Sequence, residues 1–260
     1  MNPDMASPFV TILGTRVDNF SMSEILGQIE KWVGCSTPVH IITANVDHLM
    51  VRRNDPEIAA IYDRAVLVVA DGVPLLWASR FLGAPLQERI NGTDLMGNIC
   101  ALAADKKFSV FLLGARDGVA AQAAANLQKQ FPGLRVSGTY APYHGFENDD
   151  RENEKIRGLL REMKPDILFV SLGIPKGIQW IDRHQNDCQV AVAIEVGASF
   201  MFLSGRLKRA PRWMQKYGLE WLWRLILEPR RLWKRYLLKD FPFFFYLLKQ
   251  RIQQFKSKNP

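Results

Sequence analysis

Asp71 closes the apolar run Val66-Leu67-Val68-Val69-Ala70 and is followed at once by Gly72 and, three residues on, by Pro74. A β-forming run that ends on a carboxylate either caps the next helix, here the segment "GVPLLWASRFL", or aims the group into a site at the strand end. Other apolar runs also end on small or polar residues: Thr43, Ala44 and Asn45; Gly114; Gly173; Gly197. Glycine at such ends lets a ligand approach the backbone, and a following helix start offers unpaired N–H groups to a phosphate. A phosphorylated or nucleotide ligand is therefore the expectation, although glycine also ends strands for purely local reasons.

The chemistry is narrowed by what the sequence lacks. No G-x-G-x-x-G follows the first strand and no G-x-x-x-x-G-K-[ST] occurs, which argues against a dinucleotide enzyme or a P-loop NTPase. No Asp-x-Asp pair follows a strand to hold a divalent ion, and His40, His48, His144 and His184 lack metal-ligand spacing. No metal and no cofactor are expected. Cys35, Cys100 and Cys188, odd in number and widely spaced, fit neither a disulfide framework nor a zinc cluster, so a reducing compartment is expected. The first twenty residues carry Asp4 and no long apolar run, unlike a secretion signal.

The elements that must position these residues alternate. "VHIITAN", "AVLVVADG", "FSVFLLGA", "LRVSGTY", "PDILFVSLG" and "QVAVAIEVG" read as strands, several of them apolar on both faces. "DGVAAQAAANLQKQF" and "DRENEKIRGLLREMK" between them have helical spacing. The alternation predicts an α/β fold, a Rossmann-like parallel sheet with flanking helices and right-handed crossovers.

Charge divides the chain. Residues 206–260 hold fifteen Lys and Arg against three acidic residues, a net +12, which leaves −4 on the first 205 of a chain whose total is +8. The same tail holds four of the seven Trp. This shift predicts a core over 1–205 and a helical, basic, aromatic-rich C-terminal appendage over 206–260. On a helix, Arg224, Glu228, Arg231 and Arg235 share one face while Leu222, Leu225, Ile226, Leu232 and Trp233 spread over the other, with a kink or restart at Pro229. The run "FPFFFYLL" is too short to span a bilayer, so the tail is expected to lie on an anionic membrane surface. Packing against the core and binding of nucleic acid are the alternatives; the Trp and Phe among the Lys and Arg favour lipid, and no nucleic-acid partner is expected.

The stretch "TANVDHLMVRRNDPEIAAIYDRAVLVVADGVPLLWASRFLGAPLQERINGTDL", followed by "GRLKRAPRWMQKYGLEWLWRLILEPRRLWKRYL", resembles the WecG/TagA/CpsF glycosyltransferase family from about Thr11 to Tyr236. The resemblance implies an inverting, metal-independent enzyme. Such an enzyme moves a sugar from a UDP donor to a polyprenyl-diphosphate-linked sugar in surface polysaccharide or exopolysaccharide synthesis, at the cytoplasmic face of the cell membrane. Ala70, Asp71 and Gly72 match the motif that carries the family's proposed general base, so Asp71 would take the proton of the acceptor hydroxyl.

Thr43 and Asn45 match a Thr-x-Asn contact to donor sugar and active site, and Arg89, Gly92 and Asp94 match a Glu-Arg-x-x-Gly-x-Asp-Leu run, with Arg89 against diphosphate or in a structural Arg–Asp pair. Gly72, Gly114, Lys176 and Gly197 complete the expected substrate contacts. Arg209, Arg212, Arg224 and Arg231 are expected at the acceptor diphosphate or membrane. Two departures stand out: "GIPKGIQW" has Gly177 and Ile178 where the family has an amide and a carboxylate, and "GASFMF" has Met201 where it has an acid. Lost polar groups leave the donor open between a plain hexose such as glucose and an N-acetylmannosamine type. They also keep open a non-catalytic nucleotide-sugar-binding or membrane-adaptor role. The family's self-association makes a homo-oligomer an additional expectation.

Overall fold

The computed structural model describes residues 9–35 and 37–258, the side chains of Lys216, Arg231, Leu237 and Lys258 excepted. The chain opens with a hairpin that the sequence patterns did not announce, β1 (Phe9–Ile12) and β2 (Thr15–Asp18), joined by Leu13 and Gly14, both at positive φ as a two-residue primed turn requires. Buried Asp18 accepts from Val68 N at 2.8 Å and pairs with Arg16, which fastens the hairpin to the main sheet.

Next come α1 (Met22–Val33), β3 (Val39–Ala44), α2 (Val46–Asn54), α3 (Pro56–Arg64), β4 (Leu67–Ala70), α4 (Val73–Phe81) and α5 (Gly92–Lys106). The second half of the core runs β5 (Ser109–Gly114), α6 (Val119–Gln130), β6 (Arg135–Tyr140), α7 (Asp150–Met163), β7 (Ile167–Ser171), α8 (Lys176–Cys188), β8 (Val192–Glu195) and the short α9 (Ser199–Leu203). All six strands expected from the sequence form one parallel sheet, in the order β4-β3-β8-β7-β5-β6. β3, β4, β7 and β8 are buried throughout, which is why their sequences are apolar without alternation.

Helices cover both faces. On one, Ile25 and Ile29 of α1, Leu95 and Ile99 of α5, and Leu127 of α6 pack on the sheet. On the other lie α2, α3 and α4, with α7 and α8 beyond them. The chain leaves β3 for β4 on one side, whereas β8 arrives at β3 from the other. Such a reversal opens a crevice at the carboxyl ends of the strands.

The tail forms α10 (Arg212–Lys216), α11 (Glu220–Leu227), α12 (Pro229–Lys234), a π-helical turn over Arg235–Asp240 and α13 (Pro242–Lys258). Pro229 is the first residue of α12, so the helix restarts there. α13 is not a free arm: Phe243 is fully buried and, with Leu247, joins the cluster of Val10, Ile12 and Leu75. No helix among the described residues is long and apolar enough to cross a membrane.

Candidate active site

A cleft of about 1210 Å³ opens at the carboxyl ends of β3, β4, β7 and β8, with the tail as its far wall. Asp71 lies on its floor. Helix α4 has Gly72 at its N-cap and no side-chain cap bond, so Asp71 does not serve the capping role its position offered. Its Oδ1 instead accepts from Gly92 N, the first residue of α5, at 3.3 Å. Burial lifts its pKa to about 6; Arg89, the Gly92 N–H and Arg224 pull the other way, while Glu220 adds to the rise. A carboxylate ionised at neutral pH, yet with raised proton affinity, has the properties of a general base.

The remaining expected residues fall into three groups. Asn45, Gly72, Arg89, Gly92, Lys176 and Gly197 line the cleft with Asp71. Asn45 accepts from His48 N at 3.3 Å and thereby starts α2, and Lys176 pairs with Glu147. Arg89 pairs with Glu220 of the tail at 2.7 Å rather than with an Asp. Thr43 and Gly114 sit behind the lining, and Asp94 lies outside it on the more exposed side. Thr43 is buried and donates to the Glu195 carbonyl at 3.0 Å. Asp94 takes both arms of Arg209, at 2.5 and 2.6 Å. Gly114 has φ +109° and a Cβ there would stand 2.5 Å from the Ser171 carbonyl oxygen, so the close approach of β5 to β7 explains this glycine.

In the tail, Arg209 and Arg224 line the cleft, Arg209 held also by Glu220 and Arg224 standing 3.8 Å from Glu228. Arg212 is exposed and apart from the lining, and the Arg231 side chain lies outside the described residues. Each departure has a place. Ile178 is fully buried in the core, Met201 lines the cleft, and Gly177 faces Glu195 so closely that a Cβ would stand 2.7 Å from Glu195 Cγ.

Two residues went unread in the sequence, and Arg235 was read only as part of a polar helix face. Glu195 is a fully buried carboxyl at the end of β8, and Glu220 joins Arg89 to Arg209. Arg235 stands between Asp47 and Asp240, at 3.3 and 3.7 Å. The signal for Glu195 was available, since "VAIEVG" ends an apolar run on a carboxylate just as "VVADG" does. Eight carboxyl groups and six Lys or Arg side chains line the cleft, so it is no simple basic patch. Among the described residues, no group of three or more His, Cys, Asp or Glu is placed to hold a metal ion. His40 and His48 are buried and held neutral, near 4 and 3, by burial.

Comparison with known proteins bears on the family. Two relatives, from Staphylococcus aureus strains NCTC 8325 / PS 47 and MRSA252, are each 31% identical over 250 residues, 95% of this chain and 95% of theirs. Both are named N-acetylglucosaminyldiphosphoundecaprenol N-acetyl-beta-D-mannosaminyltransferase. The profile of the glycosyl transferase WecG/TagA/CpsF family matches residues 10–257, further into the tail than the sequence resemblance reached. With a strand-end carboxylate on the floor of a large cleft and a match over nearly its whole length, this chain belongs to the WecG/TagA/CpsF family of glycosyltransferases.

Proposed function

We propose that the chain moves a hexose or N-acetylhexosamine-type sugar from a UDP donor to a polyprenyl-diphosphate-linked sugar, with inversion and without a metal ion, at the cytoplasmic face of a membrane. The observation that carries this reading is Asp71, a carboxylate that leaves the start of α4 uncapped and is set with raised proton affinity on the floor of the cleft. The names of the Staphylococcus aureus relatives point to N-acetylmannosamine as the sugar moved and to an undecaprenyl-diphosphate-linked N-acetylglucosamine as the acceptor.

In this mechanism the acceptor hydroxyl oxygen attacks the anomeric carbon from the face opposite UDP. Its proton passes to Asp71, and the bond to UDP breaks with its electron pair leaving on the diphosphate. Diphosphate charge is met by helix starts and by cleft arginines that exchange a carboxylate partner for phosphate. Of the eighteen large apolar side chains exposed among the described residues, thirteen follow residue 205, which favours a lipid surface as the tail's environment.

The test is a donor screen with the full chain, offering UDP-N-acetylmannosamine, UDP-N-acetylglucosamine and UDP-glucose with a lipid-diphosphate N-acetylglucosamine acceptor, with and without EDTA. A β-linked product from an α-linked donor, formed equally in EDTA, is the expected result. UDP binding without turnover of any donor favours the non-catalytic reading instead, and activity lost to EDTA but restored by Mg²⁺ overturns the metal-free mechanism.

A further inference from the structure

Glu195 is the last residue of β8, a strand paired on both sides, opposite Ile42 of β3 and Val170 of β7. Its side chain is fully buried and forms part of the cleft lining. Oε1 accepts from Gly197 N at 3.0 Å, whereas Oε2 is buried with no hydrogen-bond partner. A buried carboxyl oxygen without a partner costs free energy that an apolar residue would avoid, so its persistence at the end of a central strand calls for a ligand. Burial, reinforced by the charge of Asp71, raises the group to about 8 against the pull of the Gly197 N–H. At neutral pH Glu195 is therefore a neutral acid: Oε1 accepts, and the proton on Oε2 is available to donate.

The neighbourhood is shaped to hold this side chain and to leave room before it. Gly177 of α8 lies so close that any Cβ would strike Glu195 Cγ at 2.7 Å. On the cleft side, Gly173 and Gly197 face open space, since a Cβ on either would meet no atom within 4 Å, so room for a ligand remains beside the acid. Glu195 and Asp71 line the same cleft, at the ends of β8 and β4 with only β3 between those strands, and Glu195 is the more deeply buried of the two.

We propose that Glu195 is a specificity residue whose Oε2–H donates a hydrogen bond to a neutral oxygen of the sugar being transferred, with Gly177 the partner that leaves it room. The assignment rests on the glycosyltransferase reading and deepens it. Selectivity at the donor site then comes from a side chain on β8, not from one on α8. A hydrogen-bonding group of this kind separates sugars that differ at the contacted oxygen far better than apolar contact does.

The experiment measures dissociation constants for UDP, UDP-glucose and UDP-N-acetylmannosamine on the full chain and on Glu195→Met, Glu195→Gln and Gly177→Ala, with thermal unfolding as a control. UDP affinity is expected to stay within about twofold throughout. The advantage of the preferred UDP-sugar over UDP should fall about tenfold in Glu195→Met, which keeps the bulk but not the donor, and be largely retained in Glu195→Gln, whose amide still donates. Gly177→Ala, which displaces Glu195 without altering it, should reproduce the loss and carries the test if Glu195→Met fails to fold. Folded variants whose UDP-sugar to UDP ratios and sugar preference match those of the unaltered chain would overturn the proposal. Failure of the unaltered chain to bind UDP at all would sink the transferase reading itself, a distinct outcome.

Discussion

The floor and the mouth of the cleft treat charge in opposite ways. On the floor, Asp71 follows β4 and Glu195 ends β8, with β3 between the two strands, each held by a single backbone N–H and each pushed toward its protonated form by burial. At the mouth, Arg89, Arg209, Arg224 and Arg235 stand against Glu220, Asp94, Glu228, Asp47 and Asp240. On the proposed reading the two floor carboxyls divide the work, Asp71 ionised to take a proton and Glu195 neutral to donate a hydrogen bond. On the same reading the mouth would admit an anion, because arginines already oriented by carboxylates would meet a diphosphate without first being ordered.

The largest expected effect removes the tail's share of the mouth. A chain ending at Gly205 loses the wall of the cleft and also uncovers Val10, Ile12 and Leu75, against which Phe243 and Leu247 pack. Transfer to a lipid-linked acceptor should fall below detection, with vesicle binding lost and the unfolding midpoint lowered. A truncated chain as active as the whole would erase the distinction between the two regions.

On the floor, Asp71→Asn should lower kcat by roughly 10²–10⁴-fold with UDP affinity retained. The pH profile gives the matching check. Because Asp71 must be ionised to accept a proton, kcat/KM should rise with pH through about 6 and level off above it. Normal turnover in Asp71→Asn would move the chemistry away from the floor.

Arg224→Glu tests the traffic between the regions. It removes a cation that lowers the proton affinity of Asp71 and adds a carboxylate beside Glu228, so the acid limb should shift to higher pH and transfer should fall about tenfold. The smallest effect is expected for Arg209→Ala. It unties the tail from Asp94, which is two-fifths exposed, and removes the longer contact to Glu220, which keeps Arg89, so stability should fall by no more than about 1 kcal/mol while KM for the lipid-linked acceptor rises a few-fold. A rise in KM for the UDP-sugar instead would place Arg209 on the donor side.

What the sequence made legible follows from the same physics. The six parallel strands could be read because burial on both faces leaves uninterrupted apolar runs, and Asp71 could be read because it breaks one of them. The first hairpin escaped: Thr11 and Arg16 interrupt its apolar residues, and its turn is Leu13-Gly14, not an Asn-Gly or Asp-Gly signal. Partners at the mouth were illegible for another reason. Arg209 and Asp94 are 115 residues apart, and nothing in the spacing of charges says which carboxylate each arginine will find. Gly177 looked like a loss of function-bearing atoms until the Glu195 side chain was seen to fill the space in front of it.

The chain of contacts from Asp94 through Arg209, Glu220 and Arg89 has a thermodynamic consequence for Asp71. Arg89 and Arg224 lower the proton affinity of that carboxylate and Glu220 raises it, so its basicity depends on who occupies the mouth. An anion that settles on those arginines weakens their hold and makes Asp71 a stronger base. By linkage, protonation of Asp71 must in turn favour the anion. Proton uptake by Asp71 and anion docking at the mouth would thus be two readings of one equilibrium, and under the proposed function the base would be at its strongest once its substrate had arrived.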